Sequence, residues 1–490
     1  MSCSIALPSL IQGGMGAGVS NWRLAKTVSE QGALGVVSGI ALDTILARRL
    51  QLGDIGGHMR RALSHFPWPD VAERILEKYF VSEGKSSVDP FKLIPVPSVK
   101  YRQRNVELTV AGNFVELFLA KEGHDGLVGV NYLDKIQLPT MASLLGAMLA
   151  KVDAVLMGAG IPRAIPGILD KLFKWESVDL KLYVEENREG FDFKQEFDPK
   201  EYFPEPRPEM TRPFFMAIVS SDVVATAMVR KASGEVNGLV IENHTAGGHN
   251  APPRKADKDN PSFSERDDPN LDKVRELGLP FWLAGSYASP EKLGEALELG
   301  ASGIQVGTAF AYSEESGIDP KIKQAVIGSY LRGELDVATD FKLSPTGYPF
   351  KSVNLEGITS TPEEEESRTR LCDLGYLRTL YNKGDGKIGY RCPAEPVDKY
   401  VEKGGTVEET VGRHCLCNGL LSTIGIGQVH DGVVNTPIVT AGQDFSFLDN
   451  FVTKDNTHYS AVDVLRFLRG ERKTEGTPAE KVAEPMQTVS

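Results

Sequence analysis

Eight short apolar runs recur along the chain up to residue 310, most of them closing on glycine or a small polar residue. They are "SLIQGG" from residue 9, "ALGVVSG" from 33, "GLVGVN" from 126, "DAVLMGAG" from 153, "FFMAIVSS" from 214, "NGLVIEN" from 237, "PFWLAGS" from 280 and "GIQVGTAF" from 303. Their hydrophobicity is nearly continuous rather than alternating, which suits strands covered on both faces, as in a parallel sheet. Helical patterns fall between several of them: "NWRLAKTVSEQGA" after the first, "SDVVATAMVRKASG" after the fifth and "SPEKLGEALELGA" after the seventh. In the last, Ser289 suits a cap, Pro290 the first helical position and Gly300 the stop. Strands alternating with helices in this number predict an α/β fold, a (β/α)8 TIM barrel over residues 1–340.

A doubly wound sheet is the rival, and "GGMGAGVSN" tests it. The dinucleotide fingerprint needs glycine or alanine at its last place. Counted from Gly14 that place is Val19, and from Gly16 it is Asn21, so the fingerprint fails. These glycines mark a tight turn or a close approach of backbone to a ligand.

Insertions near residues 50–125 and 170–212 are too long for simple connections. They are expected to form lids or subunit contacts, the latter in keeping with a homodimer. The polar stretch at 254–270 reads as a mobile flap. After about 340 the rhythm stops: residues 341–475 are expected to pack on the barrel as an extension, and 476–490 to be a disordered tail. "TPEEEESR" reads as a solvated helix start.

Composition narrows the function. The net charge of -12 argues against a phosphate-backbone binder. No apolar run approaches the ~20 residues of a spanning helix, and the start lacks a basic, then apolar, leader pattern. Five cysteines, an odd number, do not suggest a disulfide framework, so a reducing cytoplasm is the simplest compartment. Cys372, Cys392, Cys415 and Cys417 lack paired C-x-x-C spacing and read as small buried residues holding no metal.

Barrel enzymes place their chemistry at the carboxyl ends of the strands. Two of those ends suit a phosphate. Gly285 and Gly307 permit close approach, backbone N–H groups are available, and Ser286 and Thr308 add hydroxyls. A third, "IENHTAGGHN", carries His244 and His249. The glycines break a helix, so the two histidines do not form a helix-spaced metal pair. Base catalysis and turn chemistry remain open at this point.

"LIQGGMGAGVSNWRLAKTVSEQGALGVVSG", "LVGVN", "TAGGHN", "FWLAGS" and "GIQVGTAF" come in the order seen in nitronate monooxygenases, formerly called 2-nitropropane dioxygenases. The chain resembles that family over about residues 8–330. The same motifs resemble the flavin-dependent enoyl reductases of fatty-acid and polyunsaturated fatty-acid synthesis. The resemblance implies FMN, with a small-molecule substrate and O2 or NAD(P)H as redox partner. It implies that Gln305, Val306, Gly307 and Thr308 surround the phosphate, with Gly285 and Ser286 on the facing turn. Gly14, Met15 and Asn131 are expected against the flavin, and Gly247 and Gly248 are expected to let the ring approach. His249 takes the family's catalytic-base position, a role that suits imidazole. The reaction implied is oxidation of an alkyl nitronate to a carbonyl compound and nitrite; the alternative is NAD(P)H-dependent reduction of an enoyl thioester. A non-enzymatic flavoprotein docking in a larger assembly is the reading from a different class. Two positions depart from the family. Glu242 stands where glutamine is usual, bringing a carboxylate to the flavin, and Thr245 stands where glutamate is usual.

Overall fold

The structure, a computed structural model, describes residues 7–188, 190–254, 262–384 and 386–471. The expected flap falls partly, and the expected tail wholly, outside the described residues. All eight apolar runs are strands: β1 (Leu10–Gln12), β2 (Leu34–Ser38), β3 (Val128–Leu133), β4 (Ala154–Gly158), β5 (Phe214–Val219), β6 (Gly238–Glu242), β7 (Phe281–Ala284) and β8 (Gly303–Val306). They pair in parallel in chain order, and β8 closes on β1 with Leu10 opposite Ile304 and Gln12 opposite Val306. The chain is a (β/α)8 TIM barrel.

The double-sided hydrophobicity follows from the architecture. One set of residues fills the barrel interior: Ile11, Leu34, Val36, Ala154, Leu156, Met216, Val240, Trp282 and Ala284. The alternate set, including Val37, Val130, Val155, Phe215, Ile241 and Leu283, packs against the helices. Trp282 is the largest interior side chain, and its indole N–H donates to the Pro8 carbonyl at 2.9 Å. β1 is short, and its ladder to β2 holds only two residue pairs. Gln12 compensates. Its buried carboxamide donates to the Val36 carbonyl at 3.2 Å and accepts from the Val36 N–H at 3.1 Å, replacing ladder bonds with side-chain ones.

The three predicted helices form where expected, each with a capping side chain. Asn21 accepts from the Leu24 N–H ahead of Trp22–Glu30, Ser221 caps Asp222–Lys231, and Ser289 caps Pro290–Glu298.

The first insertion contains a 19-residue helix, Gln103–Lys121, that is buried nearly all round, the polar Asn113 and Glu116 included. It lies between the helices Leu42–Gln51 and Thr140–Leu149, as part of the barrel's helical layer. Glycines allow the approach. A Cβ on Gly112 would lie 2.7 Å from the Leu42 carbonyl, and one on Gly146 would lie 2.4 Å from the Val110 carbonyl oxygen. The second insertion holds an antiparallel pair, Val178–Lys181 with Lys194–Phe197. It leans on the first through aromatic contacts, with Trp68 stacked on Phe203 at 4.2 Å and Tyr101 edge-on to Phe197 at 5.3 Å.

Beyond the barrel, β9 (Asp336–Asp340) and β10 (Phe350–Asn354) form an antiparallel pair. β10 also pairs with Val439–Thr440 and with a two-residue strand, Gly248–His249. The extension is thus hydrogen-bonded directly to the segment that follows β6. The glutamate run starts a short helix, Pro362–Ser367, capped by Thr361. It is not wholly solvated: Glu365 is buried and paired with Arg368 at 2.5 Å.

Two glycine substitutions should separate close packing from propensity. Gly146→Ala should lower stability by about 1–3 kcal/mol, because the added methyl meets backbone. Gly294→Ala, in a helix with nothing within 4 Å of the new methyl, should be neutral or raise stability by up to about 1 kcal/mol. Chemical denaturation of the two variants checks both signs.

Candidate active site

The residues singled out from sequence converge. Gly14 and Met15 after β1, Asn131 on β3, and Glu242, Gly247, Gly248 and His249 from the end of β6 onward line one cavity. Gly285 and Ser286 after β7 and Gln305, Val306, Gly307 and Thr308 at β8 line the same cavity. It opens at the carboxyl end of the barrel, where β-strand tips bring distant residues together. His244 goes elsewhere: its ring stacks on Phe263 at 4.7 Å.

Each glycine has its own cause. Gly14 makes room for Asn131, since a Cβ would lie 2.4 Å from the Asn131 Cβ. The space left by Gly247 is filled by backbone of the extension, with the Ala441 carbonyl carbon 2.5 Å from where a Cβ would stand. Gly248 has φ +74° and open space around it, so its requirement is conformational. After β7, Gly285 and Ser286 are both left-handed, at φ +97° and +56°. That turn is stitched to the end of β6. Asn243 donates to the Gly285 carbonyl at 3.2 Å and accepts from the Thr245 N–H at 2.9 Å, and the Ser286 hydroxyl donates to Thr245 Oγ1 at 2.9 Å.

His249 is held by the extension. Its Nε2 lies 2.8 Å from Ser344 Oγ and 3.2 Å from Thr346 Oγ1, and its ring stands edge-on to Phe350 at 5.0 Å. Burial lowers its pKa to about 3, and the positive charge of Lys135 adds to the effect. The imidazole is therefore neutral throughout the physiological range. Lys135 is itself pushed down to about 7 by burial, with Asp134 opposing. Its ammonium sits 3.0 Å from the centre of the Tyr348 ring.

Glu242 ends β6 inside the cavity. Burial alone pushes its carboxyl up to about 7. It is thus a protonated acid below neutrality and a carboxylate above it. Two further amides face the cavity with an unanswered atom: Asn131 Oδ1 and Gln305 Oε1 are buried and have no hydrogen-bond partner among the described residues.

The sequence reading missed the extension's share of this site. Phe350, Tyr376, Leu377, Leu416, Cys417, Leu420 and residues 440–444 line the same cavity. The Gly442 N–H donates to Thr308 Oγ1 at 2.8 Å, and the Gln443 N–H donates to the Thr245 carbonyl at 2.9 Å. The available signal was "SPTGYPFKSVN", a turn-rich segment running into an alternating strand pattern. Nothing in it points to the end of β6 as the partner.

No family model and no curated protein matches the chain. Solved structures do match. The enoyl reductase domain of MlnA from the macrolactin biosynthesis cluster of Bacillus amyloliquefaciens aligns at 11% identity over 94% of this chain and 93% of that one, with a TM-score of 0.50. The two share a fold. Nitroalkane oxidase from Streptomyces ansochromogenes aligns at 14% identity over 95% of each chain, TM-score 0.46. FabK from Thermotoga maritima aligns at 18% identity over 71% of each, TM-score 0.36.

The cavity carboxyl generates a stability prediction. Its pKa is near 7 in the folded chain against an ordinary 4.5, so the folded state holds the proton more tightly. That contribution is fully present below about pH 4.5 and is lost as pH rises through about 7. Glu242→Gln removes it. Relative to wild type, the variant should gain up to about 3 kcal/mol between pH 5 and pH 8. Denaturant titrations at the two pH values measure the gain; an equal difference at both would mean that the carboxyl does not titrate there.

Proposed function

We propose that this protein is an FMN-dependent oxidoreductase acting as a nitronate monooxygenase, oxidising alkyl nitronates with O2 to carbonyl compounds and nitrite. The observation that carries the reading is His249: a neutral imidazole on the cavity wall, fixed through one nitrogen by two hydroxyls. With Nε2–H donated to Ser344 Oγ, Nδ1 keeps the lone pair and is the proton acceptor.

The residues present fit a flavin. The unanswered Asn131 Oδ1 and Gln305 Oε1 call for N–H or O–H donors, which a flavin ring edge and a ribityl chain provide. Gly14, Met15 and Asn131 would flank the ring. Gln305, Val306, Gly307 and Thr308 would hold the phosphate with the Gly285–Ser286 turn; the Thr308 hydroxyl, accepting from Gly442, still has its own hydrogen to donate. Bound FMN supplies one-electron redox chemistry, which no side chain here provides.

The chain's own residues do the rest. His249 takes the proton from the carbon bearing the nitro group of a neutral nitroalkane. Ser344 and Thr346 keep the imidazole aimed during the transfer. A substrate that arrives as a nitronate has already lost that proton and needs no base. Below neutrality Glu242 presents a C=O and an O–H in place of a carboxamide's C=O and N–H. Its departure from the family's glutamine is then small in charge and shape.

A second reading, NAD(P)H-dependent reduction of an enoyl thioester, is favoured by one feature. The wall contributed by Leu377, Leu416, Leu420 and Phe447 is apolar and suits an acyl chain. Anaerobic stopped-flow mixing separates the two: bleaching of the flavin band by a nitronate supports the first reading, and bleaching by NADPH supports the second.

Purified protein should be yellow and release on heating a flavin with one phosphate. Release of FAD, or a colourless protein that takes up no FMN, would remove the cofactor from the proposal. His249→Asn should still bind FMN and oxidise a preformed nitronate. Its turnover of the matching neutral nitroalkane should fall by roughly 10²–10⁴-fold, the scale of general-base loss. Equal losses on both substrates at unchanged FMN content would make His249 a positioning residue instead.

A further inference from the structure

The extension gathers four cysteines around one small apolar cavity behind the large one: Cys372, Cys392, Cys415 and Cys417. Cys372 and Cys392 are distant in sequence from Cys415 and Cys417, and the fold brings the four to one cavity. All four are free thiols. They fall into two pairs: Cys415 and Cys417, two residues apart at the start of one helix, and Cys372 and Cys392 from separate segments. Among the described residues no three side chains of His, Cys, Asp or Glu are set to hold a metal ion.

The two pairs differ in reach and in electrostatics. Cys392 is buried, and its thiol is pushed up by the Cys372 hydrogen bond and by burial, so it stays protonated. Cys415 and Cys417 are partly exposed, and Cys417 also lines the large cavity. Cys415 directly precedes the helix Leu416–Thr423. Its sulfur accepts from the Asn418 side-chain amide at 3.8 Å. Asn418 is in turn held by Asp373 at 2.7 Å and by the Arg48 guanidinium at 3.5 Å. Arg48 is itself buried, donates to the Ile426 carbonyl at 2.7 Å and brings its positive charge near Cys415. The Cys417 hydrogen bond draws the Cys415 thiol down to about 7, against the burial and the Asp373 charge that oppose it. A thiol whose ionisation is eased beside a second thiol that lines the large cavity is the setting of a redox-active pair.

We propose that Cys415 and Cys417 form a redox-active dithiol that is oxidised by hydroperoxides to an intrachain disulfide in the cavity wall. The Cys415 thiolate attacks the peroxide O–O bond, giving Cys415 sulfenic acid and releasing hydroxide. The Cys417 thiol then attacks that sulfur, the S–O bond breaks and water leaves. With hydrogen peroxide, two thiols lose two electrons and two protons, and the peroxide becomes two waters. A thiol reductant returns the pair. The reaction is independent of flavin chemistry, and it alters a wall of the large cavity because Cys417 belongs to both spaces.

The full-length protein, reduced and freed of reductant, is treated with a few equivalents of hydrogen peroxide, alkylated and mapped by mass spectrometry. The expected result is a disulfide confined to Cys415 and Cys417, with Cys372 and Cys392 alkylated. Cys417→Ser should stop at a sulfenic acid on Cys415 that dimedone traps. Cys415→Ser should slow thiol loss at the remaining cysteine by about tenfold or more. Three outcomes would overturn the proposal: a disulfide at Cys372–Cys392 instead, four thiols that survive the peroxide, or about one equivalent of zinc in the purified protein shielding all four. The wild-type map decides without any variant, so a Cys→Ser protein that fails to fold leaves the test intact.

Discussion

Two residue pairings, Phe350 with His249 and Lys351 with Gly248, tie the segment that follows β6 to the extension. A loop leaving a barrel strand has no partner for its backbone unless another segment supplies one. Here β10 supplies it, and the rest of the rim adds to the same seam. Gly442 bonds to Thr308, Gln443 bonds to Thr245, and Gly247 gives up its side chain so that Ala441 can come close. The ends of three barrel strands, β6, β7 and β8, are thereby fixed to one another and to the extension. The cavity has two kinds of wall: glycine-rich strand tips on one side and leucines and phenylalanines of the extension on the other.

Burial then sets the charge state of that cavity. Desolvation acts with opposite sign on an acid and a base, favouring the neutral form of each. His249 is held neutral, and the Glu242 carboxyl is pushed up to about 7. Near neutral pH the cavity thus holds an uncharged imidazole and a half-ionised carboxyl.

The barrel could be read from the chain because each strand there carries its own signal. Residues such as Val36 and Val37 are apolar for separate reasons, one facing the interior and one facing the helices, and the double requirement shows in sequence. The strand-tip residues were legible through their motif order. The extension was not. Ser344, Thr346 and Phe350 act on His249 across a sequence separation of about 95 residues, and no local pattern encodes that partnership. The 19-residue helix at Gln103–Lys121 was hidden differently: it is buried on nearly all faces and buries polar residues such as Glu107 and Asn113 among apolar ones, so it has no 3.6-residue stripe to detect. The four cysteines likewise looked scattered because their spacing is irregular, and only the fold brings them together.

Gln12 is satisfied by Val36, a near neighbour in the chain, whereas the seam at the open end of the barrel is made by segments synthesised much later. Closing so long a loop carries an entropic penalty that only the finished chain can offset. During synthesis the barrel strands are complete before β10 emerges. For that interval the strand tips face solvent, and the imidazole of His249 has neither its hydroxyl partners nor its dry surroundings. The chemical competence of the open end is therefore an assembly event, acquired when the extension docks.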